Sequence, residues 1–240
     1  KMLQHKKIAD ILKKEADADI NELIWHLEES GNKKALLACY FDIIEHNMKT
    51  KNIDAVLKIY EKIPSIITGQ NVINRFKILL KIFELYNQMG LKDKEAEIKL
   101  LLEENLPKIK NTVLLSYYYN LMVRYEYPYL NDSEILVYIK KLTGLYEKSS
   151  SDIINLRLEN AKCFYYHIKQ QNNDFKESTQ KILEITKNNP KYPAYKAESY
   201  IFLGYIYQRK SDRRMAIKYF QKSKKLAFLS GNIKTGILAM

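Results

Sequence analysis

The chain has little of what breaks a helix. Seven glycines and five prolines among 240 residues leave few places for loops. Abundant Leu, Ile, Lys, Glu and Tyr favour helices throughout. Cysteine is almost absent. Cys39 and Cys163 lie far apart inside helical patterns, which fits buried thiols in a reducing compartment better than a disulfide. No long apolar run exists. The most apolar stretch, 113–123, contains Ser116, three tyrosines and Asn120, and is too short and too polar to span a bilayer. Lys1 to Lys14 lack the apolar run of a signal peptide, so a cytoplasmic, membrane-free protein is expected.

Recognisable catalytic chemistry is missing too. Scattered glycines supply no phosphate loop, and there is no His-Glu-x-x-His or Gly-x-Ser-x-Gly motif. His5, His26, His46 and His167 are too dispersed for a metal site. Adjacent acids such as Glu28–Glu29 and Glu103–Glu104 read as solvated helix charges. The expectation is no enzyme, no metal and no cofactor.

What is present is a repeat of roughly 40 residues. Ala55, Ala96, Leu136, Ser178 and Ala216 recur near the start of every second helix, at spacings of 41, 40, 42 and 38. The apolar residue four places later is Ile59, Leu100, Lys140, Ile182 and Phe220, with Ile139 a better fit than Lys140 in the third copy. The predicted pairs are 33–49 with 53–63, 72–89 with 93–105, 112–126 with 132–148, 152–170 with 174–188, and 194–210 with 212–229. Gly90 suits a left-handed helix end, and Asn131, Asp132, Ser133, Ser151 and Asp152 suit N-caps. Pro64, Pro107 and Pro190 follow second helices.

The last copy carries the signature. Tyr200, Leu203, Gly204 and Tyr207 share one helix, and Ala216, Phe220 and Ser223 the next. Gly204 removes a side chain where the helices approach, Ala216 faces it, and Phe220 fills the space between pairs. This is a tetratricopeptide pattern. The expected fold is all-α, a tetratricopeptide-like right-handed α-solenoid of about five to six helix pairs. Residues 1–30 hold two shorter helical segments, a divergent repeat or the end of a helix-turn-helix domain. Residues 31–240 form the repeat domain. It is expected to be truncated, because Ile233, Ile237 and Leu238 open a further apolar helix.

The concave wall of such a solenoid is built from its first helices, and geometry picks out a peptide-binding set. Registering on Gly204 gives Glu198, Ile201, Tyr205, Gln208 and Arg209. A shift of 38 residues gives Asn160, Cys163, His167 and Gln170. The third copy offers Tyr118, Asn120, Leu121, Arg124 and Tyr125. Asn120, Arg124, Asn160, His167, Tyr205, Gln208 and Arg209 are the candidates. Amides can both donate to and accept from a peptide backbone. An arginine holds a carboxylate with a two-pronged fork.

Charge is uneven within the formal net of +12. Residues 1–200 are net +4, and the last forty are net +8 with a single acid, Asp212. Arg214, Lys218, Lys222 and Lys225 form one helical stripe: a solvated face, a face for an acidic segment, or a polyanion contact.

The stretch from Tyr219–Phe220 to "LAFLSGN" (226–232) resembles the repeat domains of peptide-sensing regulators of Gram-positive bacteria and their phages, of the Rap, Rgg, PlcR and arbitrium-receptor types. The resemblance implies a cytoplasmic quorum-sensing receptor. A short peptide in the concave groove would control a DNA-binding domain or partner protein, and a homodimer is compatible with this. The alternative is an interaction scaffold with no small ligand.

Overall fold

The computed structural model describes residues 1–12, 19–50, 58–59, 62–63, 66–67, 71–187, 189 and 191–229. Ala55, Pro64, Pro190 and the expected helix after Leu229 lie outside them. Among the described residues every regular element is helical. The chain divides into two compact units, 1–71 and 72–240.

The first unit contains α1 (Met2–Leu12), α2 (Ile20–Glu29) and α3 (Lys33–Thr50). The Asp19 side chain caps α2 by accepting from the Asn21 amide. Leu27 and Tyr40 are buried here, and the Tyr40 hydroxyl donates to Glu28. His5 and His26 meet through their Nδ1 atoms at 2.9 Å.

The second unit is four successive helix pairs. They are α4 (Val72–Met89) with α5 (Lys92–Asn105), α6 (Thr112–Glu126) with α7 (Asp132–Ser149), α8 (Asp152–Ile168) with α9 (Asn172–Lys187), and α10 (Pro193–Arg209) with α11 (Arg213–Leu229). The sequence-based ranges for these pairs agree to within about two residues. Each first helix packs on its own second helix, and α4, α6, α8 and α10 also touch in succession. The second helices make little or no direct contact with one another. A row of helices crowded on one side and spread on the other curves toward the crowded side. The first helices therefore form the inner wall of this unit.

The turn inside each pair sets the register. It holds one residue of left-handed backbone at Gly90, Leu130, Gln170 and Ser211, with φ of 71°, 53°, 57° and 60°. Their spacings are 40, 40 and 41 residues. In three turns the next amide closes a six-residue loop onto the helix, from Leu91 to Tyr86 O, Gln171 to Tyr166 O and Asp212 to Tyr207 O, each 3.0 Å. Five residues past each turn lie Glu95, Ile135, Phe175 and Ala216. Twelve past lie Leu102, Leu142, Ile182 and Ser223. All eight are buried.

This register corrects the alignment on Ala96, Leu136 and Ser178, which lie six, six and eight residues past their turns. Leu100, expected to pack, is 63% exposed. Buried Glu95 is stabilised by Lys92 at 2.8 Å, so a charged residue occupies a place where apolarity alone would not seek it. Gly204 serves close approach as expected, but its nearest neighbour is Phe220 rather than Ala216. A Cβ at Gly204 would lie 2.3 Å from the Phe220 ring.

Candidate functional site

The common register aligns the first helices, and one face emerges. At thirteen, ten, six and three residues before each left-handed residue the positions stack in rows, following the helical steps of three and four. One row holds Tyr117, Arg157 and Glu198, and the next holds Asn120 and Asn160. A third holds Glu84, Arg124, Phe164 and Tyr205, and the last holds Tyr127, His167 and Gln208. The 38-residue shift used to place candidates is three residues short of the 41 that relates α8 to α10. Asn160 therefore corresponds to Ile201, and Arg157 to Glu198.

Three of the candidates meet in one network. Arg124 donates from Nη2 to Glu198 Oε2 at 2.6 Å and to Asn160 Oδ1 at 3.1 Å. Its Nε donates to Asn120 Oδ1 at 3.3 Å. Asn160 Nδ2 donates to Glu198 Oε2 at 2.8 Å, and Asn120 Nδ2 donates to Asn160 Oδ1 and to the Arg157 carbonyl, both at 3.0 Å. Side chains of α6, α8 and α10 are thereby joined, and the Arg124–Glu198 pair reaches across α8. Both amides are buried, whereas the Arg124 side chain keeps 19% of its surface. Burial opposes the arginine's charge, but Glu198, with Tyr195 and Glu84, more than offsets it and raises its pKa above the ordinary value.

Toward α4 the ladder continues through residues the sequence reading passed over. The Tyr117 hydroxyl donates to Glu84. Burial, and then Glu84, push its pKa well up. Arg157 lies over the Tyr117 ring at 4.7 Å and donates to Ser116 Oγ at 2.9 Å and the Val113 carbonyl at 2.7 Å.

A second cluster unites His167, Tyr205 and Arg209 with Tyr127. The Tyr127 hydroxyl and His167 Nδ1 are 2.8 Å apart, and the Tyr205 ring lies 5.3 Å from the imidazole. Arg209 donates to Asn172 Oδ1 at 2.9 Å and the His167 carbonyl at 3.0 Å. Burial, and then the charge of Arg209, lower the His167 pKa to about 4. Burial first raises Tyr127 to about 12. The imidazole is therefore neutral, and the phenol and Nδ1 share one hydrogen bond whose donor is set by the tautomer.

Gln208 stands apart. It is exposed and borders a depression of about 360 Å³ lined with Ser211, Arg213, Ala216, Ile217 and Phe220. Of the wider set, Tyr118, Leu121 and Cys163 are core residues off the wall rows, and Ile201 holds a wall position but is buried and apolar. Cys39 and Cys163 form no disulfide. Among the described residues no group of His, Cys, Asp and Glu could hold a metal ion, and no helix is long and apolar enough to cross a membrane.

Among the described residues this arrangement is an all-α helical repeat with a tetratricopeptide-like fold. Among solved structures, a signal-transduction ATPase with numerous domains and a tetratricopeptide repeat sensor, from Pyrococcus horikoshii, is similar over 99% of this chain, with 16% identity and a TM-score of 0.61. The chain spans only 35% of that protein. BtubC from P. vanneervenii is similar over 95% of this chain and 90% of its own, with 13% identity and a TM-score of 0.57. No protein-family profile and no curated protein matches the sequence.

Proposed function

We propose that the inner wall of α4, α6, α8 and α10 is a recognition surface for a short peptide, and that the chain is the sensing part of a regulator. The observation that carries this is the Arg124–Glu198 ion pair, which spans three successive first helices. A ligand carboxylate competing for Arg124 would release Glu198. Peptide amides would take over the bonds of Asn120 and Asn160. Loss of that strut would favour a second curvature of the wall, which is a population shift rather than a new fold. The role is recognition, without a catalytic step. The sensor named in the P. horikoshii structure and the resemblance of residues 219–232 to bacterial peptide receptors support the reading. Control of transcription through a DNA-binding domain, in the cytoplasm, is the output that resemblance suggests.

Native mass spectrometry of the protein purified from its host tests it. The expected result is an added mass of several hundred daltons, released on denaturation and lost from an Arg124→Gln variant. A bare wild-type chain, or a mass that the variant retains, contradicts it. A bare chain in complex with another protein would favour the scaffold alternative.

A further inference from the structure

The outer face of α11 differs from every other second helix described in its unit. Helices α5, α7 and α9 mix lysine with carboxylates, and some of these pair, as Lys181 does with Glu177 at 2.7 Å and Lys99 with Glu103 at 3.9 Å. Helix α11 carries Arg213, Arg214, Lys218, Lys222, Lys224 and Lys225 and no carboxylate. Among the described residues none of these six makes an ion pair, and the nearby Asp212 is engaged in capping the helix through the Met215 amide at 3.0 Å. Arg214, Lys218, Lys222 and Lys225 project from one side, opposite buried Ala216, Ser223 and Ala227. They form a stripe about 17 Å long at the helical rise. Arg214 with Lys218, and Lys218 with Lys222, are like charges four residues apart, which costs helix stability.

We infer that this stripe is a docking surface for the phosphodiester backbone of a nucleic acid. Charge complementarity alone suits any polyanion. The composition of the face decides between classes. Protein interfaces are poor in lysine and centre on aromatic or other well-packed anchors. Between the four cations the stripe offers Gln221, with the exposed Ile217 on one flank. On the other, Lys222 lies over the Tyr200 and Tyr219 rings at 5.7 and 5.6 Å, so these rings are already engaged with a cation of the stripe. A phosphate backbone needs no anchor, only flexible cations along its track. Four phosphate contacts would make affinity fall with about the third power of salt for a single strand, and slightly more steeply for a duplex.

The test uses the full chain and a labelled mixed-sequence 20-nucleotide single strand, and the matching duplex, read by fluorescence anisotropy from 50 to 200 mM salt. Binding with that salt dependence is expected for at least one of the two. Arg214→Glu, Lys218→Glu and Lys222→Glu together should weaken it at least tenfold, and the corresponding Gln variants by less. Reversal of three exposed lysines elsewhere, Lys108, Lys140 and Lys148, should weaken it less than threefold. Helicity by circular dichroism should be unchanged in all three. No binding at 50 mM salt, or equal loss from both reversals, overturns the proposal. So does a 20-residue polyglutamate that binds as tightly through the same stripe, which would assign the face to an acidic protein partner.

Discussion

Arg124 sits where an uncompensated charge would be expensive. Its side chain is 19% exposed and that of Glu198 10%, so each relies on the other and on Asn120 and Asn160. Removing one partner strands the other charge. Arg124→Ala or Glu198→Gln should each cost about 3 kcal/mol in urea unfolding, and replacing both with leucine should cost less than either alone. His167 makes the opposite demand, because it must stay neutral. Its folded pKa of about 4 lies below the ordinary 6.5. Between these values the unfolded chain binds a proton that the folded chain refuses. The stabilisation is complete above pH 6.5 and is lost as pH falls toward 4. The melting temperature should therefore drop between pH 7 and pH 5, and His167→Gln should flatten that drop.

The turns carry the repeat at the scale of the element. Gly90 occupies its left-handed position without strain, whereas Leu130 pays a steric cost at φ 53° and is 66% exposed. Leu130→Gly should raise stability by about 1 kcal/mol, and Gly90→Ala should lower it by a similar amount, as measured by chemical unfolding. The same positions explain what the sequence disclosed. Helix boundaries were legible because apolar spacing marks them locally. Asn131 and Ser151 stand at the expected N-cap positions but make no side-chain cap bond, whereas Asn111, not singled out in the sequence, caps α6 by accepting from the Leu114 amide. The register was less legible. Only Gly90 advertises its turn, while Leu130, Gln170 and Ser211 do the same work without glycine. Small residues such as Ala96 then drew the alignment off by one to three places. Asn120, Arg124 and Asn160 were found by geometry, but Glu198 gained its role only when the 41-residue offset was known. Tyr117, Arg157 and Tyr127 were hidden because aromatic residues and arginines on helices usually pack or solvate without pairing across repeats.

At the scale of the whole 72–240 unit, the inner wall is the contact surface of successive pairs, and it is also where the proposed peptide would lie. A site built there is coupled to curvature, because any group that displaces the Arg124–Glu198 pair also removes a tie across three helices. The outer face of α11 lies outside the Arg124–Glu198 network, and among the described residues its cations make no ion pair with the wall. The central claim is that the ion pair holds the wall in one curvature. The most direct test is a distance measurement by electron spin resonance between labels at Lys140→Cys on α7 and Gln221→Cys on α11, two exposed sites in different pairs. Cys163 is buried, and burial pushes its thiol pKa up, so it stays unlabelled; Cys39 is buried too. The account predicts one narrow distance distribution for the wild type. It predicts a shifted or broadened one for Arg124→Gln, with the natural ligand moving the wild type the same way. Identical distributions in all three states would contradict it.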